Sequence, residues 1–375
     1  MEKSMQLIIG SQVTLIDGKI QKLFPYGKVL ELLSKFKNIC NDIHWNVNVP
    51  QRDNCQIIDN QEEIKIKNFH PREFQTNCVD KFTRTTLTGY LYAPTGAGKT
   101  NIAAYLIAKR NIRTLFIVPK ADLVKQTKKR FQAILDIDPK HIGELSGSKK
   151  EFGAAILITT WQSLNNDATL QTIIDDKYSM VICDEMHKCS AEVYYNVVSR
   201  IPAMYKHGLT ATPYRNNTQN EQRLFDLIGN ELARVEISDL YNDKFLVRPS
   251  IQFKNTNYKI DINQPYLESL NFNIKLGMLK KNIDKSKKRK EIIINDIKNS
   301  LILEKQLYKD NRSVILVNTL ELAQSIQEEL SSTYNVLYID ANTKAKDRNE
   351  IFNSLTENEI TDYILIGTSK LLGEG

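Results

Sequence analysis

A chain of 375 residues is too long for one compact core, so two or three domains are expected. Its 41% hydrophobic and 25% charged residues exclude wholesale disorder, and no apolar run approaches the roughly 18 residues of a membrane span, which sets the expectation of a soluble protein. Five cysteines with no C-x-x-C spacing and five scattered histidines point to neither a disulfide framework nor a zinc site, so any metal is expected to arrive with a ligand.

In chain order, residues 1–67 come first. The segment QVTLIDGKIQKL predicts two short strands around an Asp17-Gly18 turn, and GKVLELLSKFKNIC has apolar residues at helical spacing. Together they read as a small accessory α+β domain with no visible chemistry.

Residues 68–245 alternate buried-strand runs with amphipathic helices. LTGYLYA, TLFIVP, AAILITT, MVICDE and HGLTAT are the strands; GKTNIAAYLIAKR, ADLVKQTKKRFQAIL and SAEVYYNVVSRI are the helices. Such alternation implies βαβ units and a parallel sheet covered by helices on both faces.

Residues 246–375 read as a linker followed by a second α/β block. The whole +7 charge excess lies between Tyr241 and Asn311, where 15 basic residues face 8 acidic ones. Lys280, Lys281, Lys285, Lys287, Lys288, Arg289 and Lys290 crowd there against the single acid Asp284. This is either a solvated helix start or a phosphate-binding patch. RSVILVN, NVLYID and DYILIGTS then read as strands, with LELAQSIQEELSS and KDRNEIFNSL as helices between them. Three strands are about half of a doubly wound domain, so this second domain is expected to be incomplete within the chain.

Chemistry concentrates in the first block. The loop Ala93-Pro94-Thr95-Gly96-Ala97-Gly98-Lys99-Thr100 follows a strand and opens a helix, the context in which backbone N–H groups cradle phosphate oxygens. Lys99 would reach the β- and γ-phosphates, and Thr100 would ligate Mg²⁺. Asp184-Glu185-Met186-His187 ends a later strand, where parallel sheets bind ligands. Asp184 would hold the metal, and Glu185 would orient and deprotonate the attacking water. A third element, Thr210-Ala211-Thr212-Pro213, ends another apolar run.

These three elements together resemble superfamily 2 helicases of the DExH type. The TATPYR and LLGEG stretches are most similar to the UvsW- and XPB-like branch, which acts on DNA, and FPYGKVLELLSKF is similar to the end of a UvsW-type N-terminal domain. The resemblance implies two RecA-like motor domains over about 300 residues, an ATP and Mg²⁺ requirement, and a monomeric motor on branched, duplex or single-stranded DNA. RNA is the less favoured substrate, and a non-catalytic ATP-gated clamp is the alternative from another class. No membrane association is implied, and a phage-type origin with action in the host cytoplasm is expected.

By the same resemblance Arg72 and Gln75 contact the adenine. Pro119, Lys120, Thr159, Thr160 and Gln162 contact nucleic acid from the first motor domain, as do Thr319, Thr368 and Ser369 from the second. His187 with Thr210, Ala211 and Thr212 couples the γ-phosphate state to domain movement, and Gly373 and Gly375 complete the nucleotide site. The family's last motif, which supplies an arginine finger, does not occur before Gly375. An arginine finger is worth roughly 10³–10⁵ in rate, so weak hydrolysis by this chain alone is expected.

Overall fold

A computed structural model describes residues 6–7, 13–16, 19–22, 46–47, 64–85, 88–188, 196–212, 227–254, 271–307, 310, 312–368 and 372. The chain divides into two units, Met1–Pro249 and Ser250–Gly375. None of the described helices is long and apolar enough to cross a membrane.

Four short strands lie near the start. β1 (Gln6–Leu7) runs parallel to β4 (Asn46–Val47), and β2 (Val13–Ile16) pairs antiparallel with β3 (Lys19–Lys22). Ile16 stands opposite Lys19, so the two strands expected around Asp17-Gly18 are present. The helical pattern of residues 27–40 and the UvsW-like stretch lie outside the described residues. β5 (Lys65–Ile66) pairs antiparallel with β8 (Leu135–Asp136), and Ile64 is buried in the core that follows.

That core surrounds an eight-stranded sheet. Its strands are β6 (Thr88–Tyr92), β7 (Thr114–Val118), β9 (Ile142–Ser146), β10 (Lys149–Lys150), β11 (Ile156–Thr160), β12 (Met180–Cys183), β13 (Tyr205–Thr210) and β14 (Glu231–Arg234). The order across the sheet is β10-β9-β11-β7-β12-β13-β6-β14, and every neighbouring pair is parallel except β10 with β9. β7, β11 and β12 are buried at every position, as the continuous apolar runs TLFIV, ILITT and MVIC require of strands covered on both faces.

Successive residues of these strands enter opposite cores. Phe116, Val118, Ile158 and Ile182 pack with the helices Glu73–Thr85, Lys99–Arg110 and Ala121–Ile134. Leu115, Ile117, Leu157 and Val181 pack with Leu170 and Ile173 of the helix Asp167–Asp175 and with Val197, Val198 and Ile201. Fully burying one such side chain contributes roughly 1.5–3 kcal/mol, so the two faces supply the stability of this unit.

β13 breaks the apolar rule. It begins at Tyr205, two residues before the expected strand, and buries Lys206 and His207 completely or nearly so. The Lys206 amine donates to the Val198 carbonyl at 3.0 Å, and burial lowers its pKa to about 8. The His207 ring stands edge-on to Phe82, 4.9 Å between centroids, and burial together with the Arg110 charge lowers its pKa to about 3.

The second unit holds a three-stranded parallel sheet, ordered β15 (Arg312–Val317), β17 (Tyr363–Thr368), β16 (Val336–Ile339). Leu322, Ala323, Ile326 and Leu330 of the helix Leu320–Leu330 cover it together with Leu301 of the helix Lys287–Leu307. A buried carboxylate organises its polar side. Asp284, near the end of the helix Phe272–Lys285, accepts from Arg289 at 3.1 Å and from the Thr319 hydroxyl at 2.8 Å.

The sign of the His207 effect is fixed by where the proton binds. Between pH 6.5 and about 3 the unfolded chain protonates this ring and the folded chain does not, so folding stability falls as pH falls through that window. Each unit of difference is about 1.4 kcal/mol. His207→Leu is expected to flatten the acid limb of thermal-melting temperature against pH, measured by circular dichroism. An unchanged acid limb would remove His207 as its source.

Candidate functional site

The strand order builds the site. β12 and β13 lie between β6 and β7, although they follow both in sequence, so the carboxyl ends of β6, β13 and β12 are consecutive. Backbone bonds lock them: the Ala93 N–H donates to the Thr210 carbonyl at 2.9 Å, and the Asp184 N–H to the Ile117 carbonyl at 2.8 Å.

The loop after β6 turns through two left-handed glycines, Gly96 at φ 88° and Gly98 at φ 79°. The helix Lys99–Arg110 starts at Gly98 with no side-chain cap. Its first N–H groups therefore face out of the helix end without an intrahelical acceptor, which suits an anion. A Cβ on Gly98 would stand 2.9 Å from Nε2 of Gln75, and one on Gly96 would stand 2.7 Å from Cδ2 of Leu246. Pro94 and Thr100 are half-buried, Thr95 is exposed and Ala97 is buried, with its N–H on the Pro94 carbonyl at 3.2 Å.

Lys99 is 9% exposed. Its amine donates to the Ala93 carbonyl at 3.3 Å and pairs with Oε1 of Glu185 at 3.1 Å. Glu185 holds φ 45°, unusual for a residue with a side chain, and the Asp184 carboxylate accepts its N–H at 3.0 Å. The second Glu185 oxygen is 3.5 Å from Nδ1 of His187, and that nitrogen is 2.7 Å from the Thr210 hydroxyl. The Thr210 oxygen accepts the Thr212 N–H at 3.1 Å, and Ala211 lies between them half-buried. A continuous polar chain thus runs from Lys99 through Glu185, His187 and Thr210 to Thr212. Pro213 lies outside the described residues.

Gln75 is buried and serves the protein at both ends of its amide. Oε1 accepts the Arg72 N–H at 3.0 Å, and Nε2 donates to the Ala97 carbonyl at 3.1 Å. Gln75, expected at the adenine, here joins the helix Glu73–Thr85 to the glycine loop. The Arg72 guanidinium lies 3.9 Å from the centroid of the Phe245 ring.

The residues expected on nucleic acid divide by what their polar atoms already do. Pro119 and Lys120 follow β7, the first buried and the second exposed at the start of the helix Ala121–Ile134. The Thr159 hydroxyl is turned into the sheet, onto the Leu145 carbonyl at 3.0 Å. Thr160 caps the short helix Trp161–Leu164 by accepting the Ser163 N–H at 3.2 Å. Gln162 is exposed, with its amide 3.5 Å from the Pro119 carbonyl. In the second unit Thr319 caps the helix Leu320–Leu330 and donates to Asp284, which also takes Arg289. Lys287 and Lys288 are exposed at the start of their helix, and Thr368 ends β17 half-buried. Ser369, Gly373 and Gly375 lie outside the described residues.

Three residues at these places carry roles that the sequence does not announce. Asp284 is visible only as the lone acid among bases, a signal that an ion pair is built there. Phe245 and Leu246 give no periodic signal, because their partners are distant in sequence.

Residues 68–215 match the family described as type III restriction enzyme, res subunit. The DNA 3'-5' translocase XPB2 of Sulfurisphaera tokodaii is 30% identical over 182 residues, covering 45% of this chain and 40% of that protein. Putative helicase 22 of the Sulfolobus islandicus filamentous virus is 24% identical over 377 residues, covering 95% of this chain and 63% of its own length. The chain thus spans less than two thirds of either relative. The crystal structure of the Pyrococcus furiosus Hef helicase domain superposes with a TM-score of 0.51 at 16% identity, over 80% of this chain and 86% of that one. The fold is RecA-like. Residues 68–215 are thus similar to the res-subunit family, and the chain is similar to the helicases and the translocase named above.

Gly98→Ala forces a left-handed residue with a side chain against Gln75. Such a conformation costs roughly 1–2 kcal/mol. Chemical denaturation is expected to show a loss of at least that size, and a loss near zero would mean the Gln75 strut is soft.

Proposed function

We propose that this protein is an ATP-dependent DNA helicase or translocase, acting on branched or duplex DNA and coupling Mg–ATP hydrolysis to strand translocation or branch migration. The observation that carries this reading is the polar chain from Lys99 to Thr212, built across three adjacent strand ends beside an uncapped helix start. The similarity to an XPB2 DNA translocase supports DNA as the substrate, and the relation to a viral helicase supports a viral setting.

The residues fit a magnesium-bound triphosphate. N–H groups from Gly96 to Thr100 and the Lys99 amine would hold the phosphates, and the Thr100 hydroxyl and Asp184 carboxylate would hold the ion. Magnesium, when bound, supplies Lewis-acid neutralisation of charge on the phosphate oxygens. Within the chain itself, Lys99 and Glu185 occupy each other. Lys99, on turning to a phosphate, releases a carboxylate that His187 still orients, and Glu185 can then accept a proton from water. His187 shares a nitrogen between Glu185 and Thr210, so a change at the carboxylate reaches the strand end that carries Thr212.

The exposure of Lys120 and Gln162 in the first unit, and of Lys287 and Lys288 in the second, supports their assignment to a nucleic-acid backbone. Binding through phosphates gives affinity without base preference and weakens steeply with salt. The protein is proposed to act as a monomer in the cytoplasm.

Glu185→Gln removes the partner of Lys99 and the proposed base together. Calorimetry is expected to show several-fold tighter ATP binding, with turnover reduced at least about 100-fold. Weaker ATP binding would mean that the ion pair shapes the site rather than competing for it.

The substrate is tested by titrating branched DNA, single-stranded DNA and RNA, for binding and for stimulation of ATP turnover. Branched or duplex DNA is expected to lead; preference for RNA would replace DNA in this reading. Changing Lys287 and Lys288 to Ala is expected to lower the log–log salt slope by about 0.7–0.9 for each phosphate that is no longer neutralised. An unchanged slope assigns those lysines to solvent.

A further inference from the structure

In the second unit the lone acid of the basic stretch sits where its own helix disfavours it. Asp284 lies in the last turn of the helix Phe272–Lys285, where the unpaired carbonyl groups of a helix end repel a carboxylate. It is nevertheless only 4% exposed, while Lys285, Lys287 and Lys288 beside it are exposed. Two groups hold it there. Oδ1 accepts from Nη1 of Arg289 at 3.1 Å, and Oδ2 accepts from the Thr319 hydroxyl at 2.8 Å. Thr319 is itself fixed, since its oxygen caps the helix Leu320–Leu330 by accepting the Leu322 N–H.

A guanidinium beside a hydroxyl, ringed by exposed lysines, is a donor set for a phosphate group, and a carboxylate offers it the same pair of anionic oxygens. The two donors stand on firm ground. Their helices, Lys287–Leu307 and Leu320–Leu330, are tied by Lys290 to Ser325 at 3.3 Å and by Lys298 to Glu329 at 2.7 Å, and both enter the core of the unit. The helix that brings the carboxylate is held lightly. Among its described side chains Asp284 alone is buried, and Ile274 and Met278 are exposed. The donor pair therefore keeps its place without the acid, and the acid is explained by what it occupies rather than by the helix it ends.

We propose that Arg289 and Thr319 form a site for one phosphate of a nucleic-acid backbone, and that Asp284 is its internal occupant, an acidic latch that the phosphate displaces. The proposal rests on the nucleic-acid reading above and adds the regulation of that surface. With the latch in place Arg289 is neutralised, and the exposed lysines alone attract the backbone. When a phosphate enters, the guanidinium and the hydroxyl turn from carboxylate to phosphate. The end of the helix Phe272–Lys285 then lifts to bring Asp284 to water, because a carboxylate left buried without its cation is strongly unfavourable. Encounter through the lysines and firm hold through Arg289 are thereby separate events.

The experiment titrates duplex DNA against the full 375-residue chain over a range of salt concentrations. Asp284→Asn keeps the shape of the latch and removes its charge. It is expected to tighten DNA binding about tenfold, the scale of one charge-assisted hydrogen bond, and to steepen the log–log salt slope by about 0.9 as Arg289 neutralises one more phosphate. Glu291→Gln removes the same charge from an exposed neighbour and is expected to change binding less than about twofold, with the slope unaltered. Adding Arg289→Ala to Asp284→Asn is expected to abolish the gain. An equal gain in Glu291→Gln, or a gain that survives the loss of Arg289, would overturn the latch and leave only the net charge of the patch. Unchanged or weaker DNA binding by a folded Asp284→Asn protein would make the ion pair purely structural and overturn it too. Should circular dichroism show that Asp284→Asn unfolds, hydrogen exchange on the unmodified chain decides: amides at the end of the helix Phe272–Lys285 are expected to exchange faster with DNA bound, and equal or slower exchange sinks the latch. If the unmodified chain binds neither DNA nor RNA, the nucleic-acid reading itself fails, and the latch falls with it.

Discussion

Burying an ammonium group costs several kcal/mol unless an acceptor or an anion meets it. Lys99 is buried, and the Ala93 carbonyl and the Glu185 carboxylate meet it. Much of the first unit is arranged to make that meeting possible. β12 and β13 must slot between β6 and β7 for Glu185 to reach the loop at all. Glu185 must then adopt a left-handed backbone, a strain of order 1–3 kcal/mol that the packed strands on either side sustain. Break the strand order and the pair separates, leaving a buried charge without a counter-ion.

Chemistry and packing are legible in the sequence to different degrees. β7, β11 and β12 declare themselves because a strand buried on both faces has to be apolar throughout. β9 and β14 do not. Ile142–Ser146 carries Gly143 and the buried Glu144, whose carboxylate pairs with Lys149 on the adjoining β10; Glu231–Arg234 is an edge strand with charges at both ends. β13 reads two residues short, because Lys206 looks like a surface residue until the Val198 carbonyl is known to receive it.

The site shows the same division. The glycine loop and the acidic strand end are readable because their chemistry depends on local backbone shape and on position at strand ends. Gln75 is marked by its position, but its hydrogen bonds go to the protein. Thr159 and Thr319 stand out as polar residues at strand ends, and each hydroxyl is committed inside the fold. Residue type announces a capacity for hydrogen bonding; only tertiary structure decides where the bond goes. Asp284 makes the point most directly, since it draws Arg289 out of what reads in sequence as one uniform basic patch.

Gln75 fixes the shape of the glycine loop from within the protein. Tied through Ala97 on one side and Arg72 on the other, the loop has its curvature set in advance and surrenders little chain entropy when it is filled. A loop that hardly moves is a poor messenger. Lys99 and Glu185 are joined only through their side chains, so that pair can exchange partners while the loop backbone keeps its shape.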